Sequence, residues 1–208
     1  DRTAPAMLLV TSLADDGGAG TLRSLIAAAQ TNGDASNTID FDPSLANGVI
    51  TLTAAPLDPA TGTFPGPTAF DVNKTLTILG SGQTITRAAT AADFRFFFVE
   101  ATGSLTLSNL TLSDGLAKGF DSGGSGGGAA GLGGAIFNMG ALTVQGVTFT
   151  GDAAVGGNSG GSASNGGAGL GSGPGTNGGN PNGGGGAGGF SGGAGGFGGG
   201  GGGGQSYI

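Results

Sequence analysis

The side chains of this chain that could do chemistry are mainly carboxylates and a few cations. It has no His and no Cys, so neither an imidazole-assisted hydroxyl nor a thiolate can serve as nucleophile, and the usual zinc ligands are missing. Six residues remain as a candidate set: Asp71, Asp93, Arg95, Glu100, Asp114 and Asp152. Carboxylates of this kind act in pairs as acid and base at a glycosidic bond, or hold calcium beside an Arg for polysaccharide elimination. None of the six forms the close sequence pair that two-carboxylate catalysis favours, and each reads more simply as a solvated turn residue. The expectation is therefore no catalytic residue, no cofactor and no assigned metal ligand, although outward Asp residues are of a type that can take calcium. The net charge of −7 repels phosphate backbones and anionic headgroups, so neither nucleic acid nor an acidic membrane is an expected partner.

The elements that must position these residues change character along the chain. Met7-Leu8-Leu9-Val10 is a short apolar run that reads as a strand, closed by the turn signal Asp15-Asp16-Gly17-Gly18. Leu22, Leu25, Ile26 and Ala29 then fall at i, i+3, i+4 and i+7, with Thr21 or Gly20 as N-cap and Asn32-Gly33 as the stop. This predicts one helix near residues 21–30, short enough to be a lid over the end of another structure.

Thereafter the period is two. Thr38–Phe41 and Val49–Thr53 read as strands, and the Pro-rich stretch 56–67 does not. Three segments share a Leu-Thr-aliphatic centre: Leu76-Thr77-Ile78, Leu105-Thr106-Leu107 and Leu142-Thr143-Val144. Each is followed by a second short strand, Thr84-Ile85-Thr86, Thr111-Leu112-Ser113 and Thr148-Phe149-Thr150. The leading Leu residues recur at intervals of 29 and 37, the longer interval carrying the Gly-rich insert 123–134. Short strands at a near-constant period, with no helix long enough for a crossover, predict a right-handed parallel β-helix over residues 1–155 capped by the helix. Leu76, Ile78, Leu105, Leu107, Leu142 and Val144 would stack inward, and the alternating Thr and Ser would face out. Phe94-Arg95-Phe96 reads as a core strand by its alternation.

Gly133-Gly134-Ala135-Ile136-Phe137-Asn138, with Phe149-Thr150-Gly151-Asp152 after it, resembles the paired GGA[ILV] and FxxN repeats of the chlamydial polymorphic outer membrane proteins and related bacterial β-helix surface proteins. The opening Val10–Asp16, Gly20–Arg23 and Ile39–Asp42 is similar to the start of secreted autotransporter-passenger and adhesin-like β-helix proteins. The resemblance spans roughly residues 8–155 and implies a bacterial outer-membrane or secreted repeat domain. Asp152 stands where that motif has Asn, and an ionised Asp only accepts hydrogen bonds where an amide also donates. Residue by residue, Gly133, Gly134, Ala135, Ile136, Asn138, Phe149 and Asp152 form a structural motif. The two Gly allow a tight corner, Ile136 points to the core and Asn138 opens the next turn.

Glycine divides the chain. Of 52 Gly, 11 precede residue 116, and from Ala153 onward Tyr207 carries the only ionisable side chain. Ordinary helix or strand through 156–208 would cost ~15–30 kcal/mol for its 29 Gly, so this tract reads as a large loop or linker, or as packed polyglycine-II-like chains. Collagen lacks its three-residue period, and a calcium-binding Gly-Asp roll lacks its Asp.

These readings favour a non-enzymatic structural or adhesive protein, secreted or at the cell surface. We expect an export signal to have been removed before Asp1, and the chain to be the N-terminal part of a longer solenoid or a subunit of an assembly. Expected partners are proteins, host or surface ligands, or another copy through an open coil edge or the Gly-rich tract. No run reaches the ~18 apolar residues of a membrane span. A pectin lyase-like enzyme is the first alternative. An ice-binding solenoid is the second, because Thr51–Thr53, Thr75–Thr77, Thr84–Thr86 and Thr148–Thr150 are Thr-x-Thr triplets. The sequons at Asn73 and Asn109 fall in expected strand regions.

Overall fold

The computed structural model describes residues 6–55, 66–121 and 128–158. The fold is all-β with one α-helix, and every pairing between its strands is parallel. In chain order the strands are β1 (Ala6–Val10), β2 (Ser36–Phe41), β3 (Val49–Leu52), β4 (Thr68–Val72), β5 (Thr75–Leu79), β6 (Thr84–Arg87), β7 (Arg95–Val99), β8 (Ser104–Ser108) and β9 (Thr111–Ser113). They continue as β10 (Leu116–Lys118), β11 (Ile136–Asn138), β12 (Ala141–Gln145), β13 (Thr148–Thr150) and β14 (Ala153–Val155), with helix α1 (Leu22–Thr31) between β1 and β2. No helix among the described residues is long and apolar enough to cross a membrane.

Two compact units emerge. The described residues of the first are 6–55, 68–115 and 135–152. It holds three sheets, β1-β2-β5-β8-β12, β3-β6-β9-β13 and β4-β7-β11. The period-two pattern becomes ladders because parallel register sets like beside like. Ile39, Ile78, Leu107 and Val144 are successive partners, as are Leu76, Leu105 and Leu142, and Ile50, Ile85, Leu112 and Phe149. Ile39, Ile50, Leu76, Ile78, Ile85, Leu105, Leu107 and Leu112 are completely buried, each contributing about 1.5–3 kcal/mol of transfer free energy. The ladders fade at β12 and β13: Leu142 is half-buried, and Val144 and Phe149 are exposed, because no further strand covers them among the described residues.

Helix α1 begins where the sequence indicates. Thr21 is its N-cap, and its hydroxyl accepts from the Ser24 N–H at 3.2 Å, which satisfies one orphan donor of the first turn. Leu22, Ile26 and Ala29 are buried, and the helix packs on β1, β2 and β4. Arg23 fixes its orientation. The guanidinium grips Asp15 through two nitrogens, at 2.6 and 3.1 Å, donates to the carbonyls of Ala69 and Ala54, and lies 5.1 Å from the centre of the Phe70 ring. Gln30 Oε1 accepts the N–H groups of Asn73 and Lys74, tying the last turn to the β4–β5 connection.

The corner between the first two sheets is also a ladder. Asn47, Gly82, Asn109 and Gly146 occupy equivalent places there, with φ of 59°, 88°, 50° and 62°, a region open to Gly and, among other residues, mostly to Asn and Asp. A Cβ on Gly82 would stand 2.3 Å from Asn47 Oδ1, and one on Gly146 would stand 2.7 Å from Asn109 Oδ1. Each Gly therefore leaves the space that the preceding Asn fills. Asn109 thus sits in a left-handed turn and Asn73 in the exposed β4–β5 turn, so both sequon asparagines lie at corners and not in strands.

The second unit contains the parallel pair β10 and β14. Beside it, Gly119 N–H donates to Val155 O, Ala129 N–H to Phe120 O and Gly157 N–H to Ala129 O, at 2.8–2.9 Å. Backbone bonds join these Gly-rich segments without strand side chains. Of the Gly-rich tract 156–208, residues 159–208 lie outside the described residues, as do residues 56–65 of the Pro-rich stretch and 122–127 of the insert.

Candidate functional site

The fold brings together one pair of the candidate carboxylates that sequence spacing keeps apart. Asp71 lies near the end of β4, and Glu100 follows β7, whose strand runs beside β4 in register; the Glu100 N–H donates to Val72 O at 2.9 Å. Asp71 is pushed up to about 6. Removal from water is the main cause, followed by a side-chain hydrogen bond with Glu100 and that neighbour's negative charge, against an opposing backbone hydrogen bond from Val72. Asp71 therefore keeps its proton up to about pH 6, and its buried Oδ1 has no hydrogen-bond partner.

Arg95 is buried, although strand alternation beside two core Phe would turn it outward. Its Nη1 donates to Thr68 Oγ1 at 2.9 Å, and the guanidinium stands 5.5 Å from the centre of the Phe137 ring, which stacks on Phe98. Burial lowers it to about 10, so it remains a cation at neutral pH. The β4–β7 register runs Thr68 with Arg95 and then Phe70 with Phe97, without an Ala69–Phe96 pair. The N–H groups of both Phe96 and Phe97 turn to Ala135 O, at 2.9 and 3.1 Å. Two donors on one acceptor mark a local irregularity at Phe96 and Phe97, which both join the core, whereas Arg95 lies outside the core cluster and is buried beside Thr68 and Phe137.

Asp114 and Asp152 serve the corner after β9 and β13. Asp114 has φ of 63°; its Oδ2 accepts from Ser113 Oγ at 2.7 Å, and Arg87 Nε donates to its carbonyl at 2.9 Å. Asp152 Oδ1 accepts from Gly115 N–H at 2.8 Å. Burial is the main reason that Asp152 lies above the usual carboxylate range, and the Asp114 charge adds to it. Asp93 is exposed. None of these three lies in the Asp71–Glu100 pair.

In the Gly-Gly motif, Gly133 has φ of 61° and Gly134 passes so near β14 that a Cβ there would stand 2.5 Å from Ala153 O. Ala135 is buried, Ile136 packs against the core, and Asn138 is exposed with its Oδ1 accepting from Gly140 N–H at 3.1 Å. Phe149 is exposed on β13.

The remaining organised feature is the outer hydroxyls. On the β3-β6-β9-β13 sheet, Val49, Thr84, Thr111 and Thr148 are successive partners, as are Thr51, Thr86, Ser113 and Thr150. On the β1-β2-β5-β8-β12 sheet, Thr38, Thr77, Thr106 and Thr143 form one column, and Ser36, Thr75, Ser104 and Ala141 another. The four Thr-x-Thr triplets of the sequence thus divide between two sheets, and Thr53 lies beyond β3. Thr111 and Ser113 complete a face that the triplets alone did not indicate. No protein-family model, curated protein or solved structure matches this chain.

Proposed function

We propose that the parallel sheets are the faces of a right-handed parallel β-helix, and that the chain is a non-enzymatic, secreted or cell-surface structural or adhesive protein. One observation carries this reading: the chain returns to the same sheets in the same order. The succession β2, β3, β4 is followed by β5, β6, β7, then by β8, β9, β11, and then by β12 and β13, while β10 and β14, which follow β9 and β13 in the chain, pair with each other. Parallel connections in one sheet are right-handed in the great majority of proteins, and a coil that repeats in register is a stiff scaffold for presenting outer faces.

The carboxylates support the non-enzymatic part of the reading. Asp15 clamps a helix, Asp114 and Asp152 hold a corner, and Asp71 is part-buried near Glu100. Exposed Met139, Val144 and Phe149 support a role as part of a longer chain or an assembly. Two measurements test the proposal together. Beads coated with the chain should adhere to cell or host-matrix surfaces more than beads carrying a β-sheet protein of similar charge. The soluble chain should release neither reducing nor unsaturated sugar from pectin, with or without calcium. Sugar release that disappears in Asp71→Asn or Glu100→Gln would replace the adhesive reading with the lyase or hydrolase one.

A further inference from the structure

We propose that the outer face of the β3-β6-β9-β13 sheet is a binding surface for ice. Four successive strands present an x-Thr-like pair in register: Val49 and Thr51, Thr84 and Thr86, Thr111 and Ser113, Thr148 and Thr150. Strand spacing repeats the hydroxyls every ~4.8 Å across the sheet, and alternate residues repeat them every ~6.7 Å along it. The oxygens of the prism face of hexagonal ice repeat at two similar spacings. A lattice-matched array holds many surface waters at once, where a single Thr holds none for long.

The side-chain chemistry favours the same occupant. Thr is β-branched and stiff at χ1, so its methyl and hydroxyl are already arranged and little rotamer freedom is lost on contact. The face is neutral where the lattice is neutral. None of the eight column positions is ionisable, although the chain carries a net charge of −7, and the flanking corner is Asn47, Gly82, Asn109 and Gly146. Asp114 stands at the opposite edge and takes the Ser113 hydroxyl, so the Thr84–Thr111–Thr148 column is the cleaner one. The β1-β2-β5-β8-β12 sheet is poorer on the same criteria. Its outer face sets Asp40, Leu79, Ser108 and Gln145 beside the Thr column and begins that column with Met7. No aromatic ring stands in either column of the proposed face, which disfavours a crystalline polysaccharide, whose sugar rings stack on aromatic side chains. The inference stands on register and does not require the adhesive reading.

Ice-affinity partition and inhibition of ice recrystallisation, performed on the full chain, test it. The wild type is expected to enter slowly growing polycrystalline ice and to keep grains small, and Thr111→Lys to lose both properties while melting as the wild type does. Thr106→Lys, on the other sheet, should keep both. Thr148→Lys repeats the test on an edge strand, where a long side chain disturbs the fold least. Exclusion of the wild type from ice overturns the proposal. So does equal loss in Thr106→Lys and Thr148→Lys, or sedimentation of the wild type with crystalline cellulose or chitin but not with ice.

Discussion

The two edges of the first unit are built from the same ladders and end differently. At the β1, β3 and β4 edge, α1 lays Leu22, Ile26 and Ala29 over the strands, and Arg23 ties it to Asp15, Ala54 and Ala69. At the β11, β12 and β13 edge, the apolar positions continue but lose their cover. Ile78 and Leu107 are 0% exposed, whereas Val144, the next in their column, is 46% exposed. Ile85 and Leu112 are 0% exposed, whereas Phe149 is 46% exposed. Identical patterning therefore contributes unequally: what an inward side chain adds to stability is set by whether another layer follows it.

Core truncation gives the largest expected effect. Leu107→Ala should cost about 2–5 kcal/mol in denaturant unfolding, through lost transfer energy and the cavity left behind. Val144→Ala, one strand further along the column, should cost less than about 1 kcal/mol, because nearly half of the residue's surface keeps its water. Equal costs would mean that the β12 edge is covered in solution, and the contrast between the edges would disappear.

Breaking the clamp comes next. Asp15 has a side-chain exposure of 4% and Arg23 of 15%, so Arg23→Ala strands a buried carboxylate at a cost of about 3 kcal/mol. The same measurement on Lys118→Ala gives a reference. Its ion pair with Asp121 is 3.7 Å long with both partners exposed, and pairs of that kind contribute about 0–1 kcal/mol. Hydrogen exchange should place the added opening in α1 and β1, leaving the β8–β9 amides protected. A uniform loss of protection would show that the helix is not a separable cap.

The Asn/Gly corner runs from one edge to the other and gives a smaller effect. Gly82→Ala forces a Cβ onto Asn47 Oδ1 at a φ of 88° and should cost about 1–3 kcal/mol. Asn109→Gly, at a φ of 50°, should change stability by only a few tenths of a kcal/mol. Reversal of that order, read from unfolding midpoints, would mean that the corner spacing is set elsewhere.

The legibility of these features follows from their range. Helix α1 and its Thr21 cap are local, and local periodicity with a capping residue indicates them to within one residue. The strands of the Leu-Thr segments are equally local. Burial at β12 and β13 is not local, since Leu142 and Val144 look like Leu105 and Leu107 until the following layer is examined. Asp71 and Glu100, 29 positions apart, come near each other only because β4 and β7 pair with an offset of 27, which no spacing rule reveals. Arg95 reads as a solvated turn residue but is buried on β7, because Thr68 and the Phe137 ring meet it there, and both contacts come from strands distant in sequence. The Asn47, Gly82, Asn109 and Gly146 corner was available in retrospect: each of these residues follows a strand of the first sheet and precedes one of the second.

The Asp71–Glu100 pair supplies the smallest effect and a test of opposite sign to the usual carboxylate. The folded state holds the Asp71 proton up to about pH 6, whereas an unfolded Asp releases it near 3.9. Between those values the folded state binds more protons than the unfolded one, so stability falls as pH rises through that window. Asp42, held below the usual range by its hydrogen bonds with Ser44, acts in the reverse direction at lower pH. Because the Asp71 side chain is partly open to solvent, screening reduces the effect to about 1 kcal/mol. Asp71→Asn should therefore raise stability at pH 7.5 by that amount and flatten the unfolding free energy between pH 4 and 6. Asp152→Asn, at the uncovered edge, should change the slope in the same sense and by less, since its Gly115 hydrogen bond offsets part of its burial. Equal slopes for the two variants would mean that both edges withdraw a carboxyl group from water to the same extent.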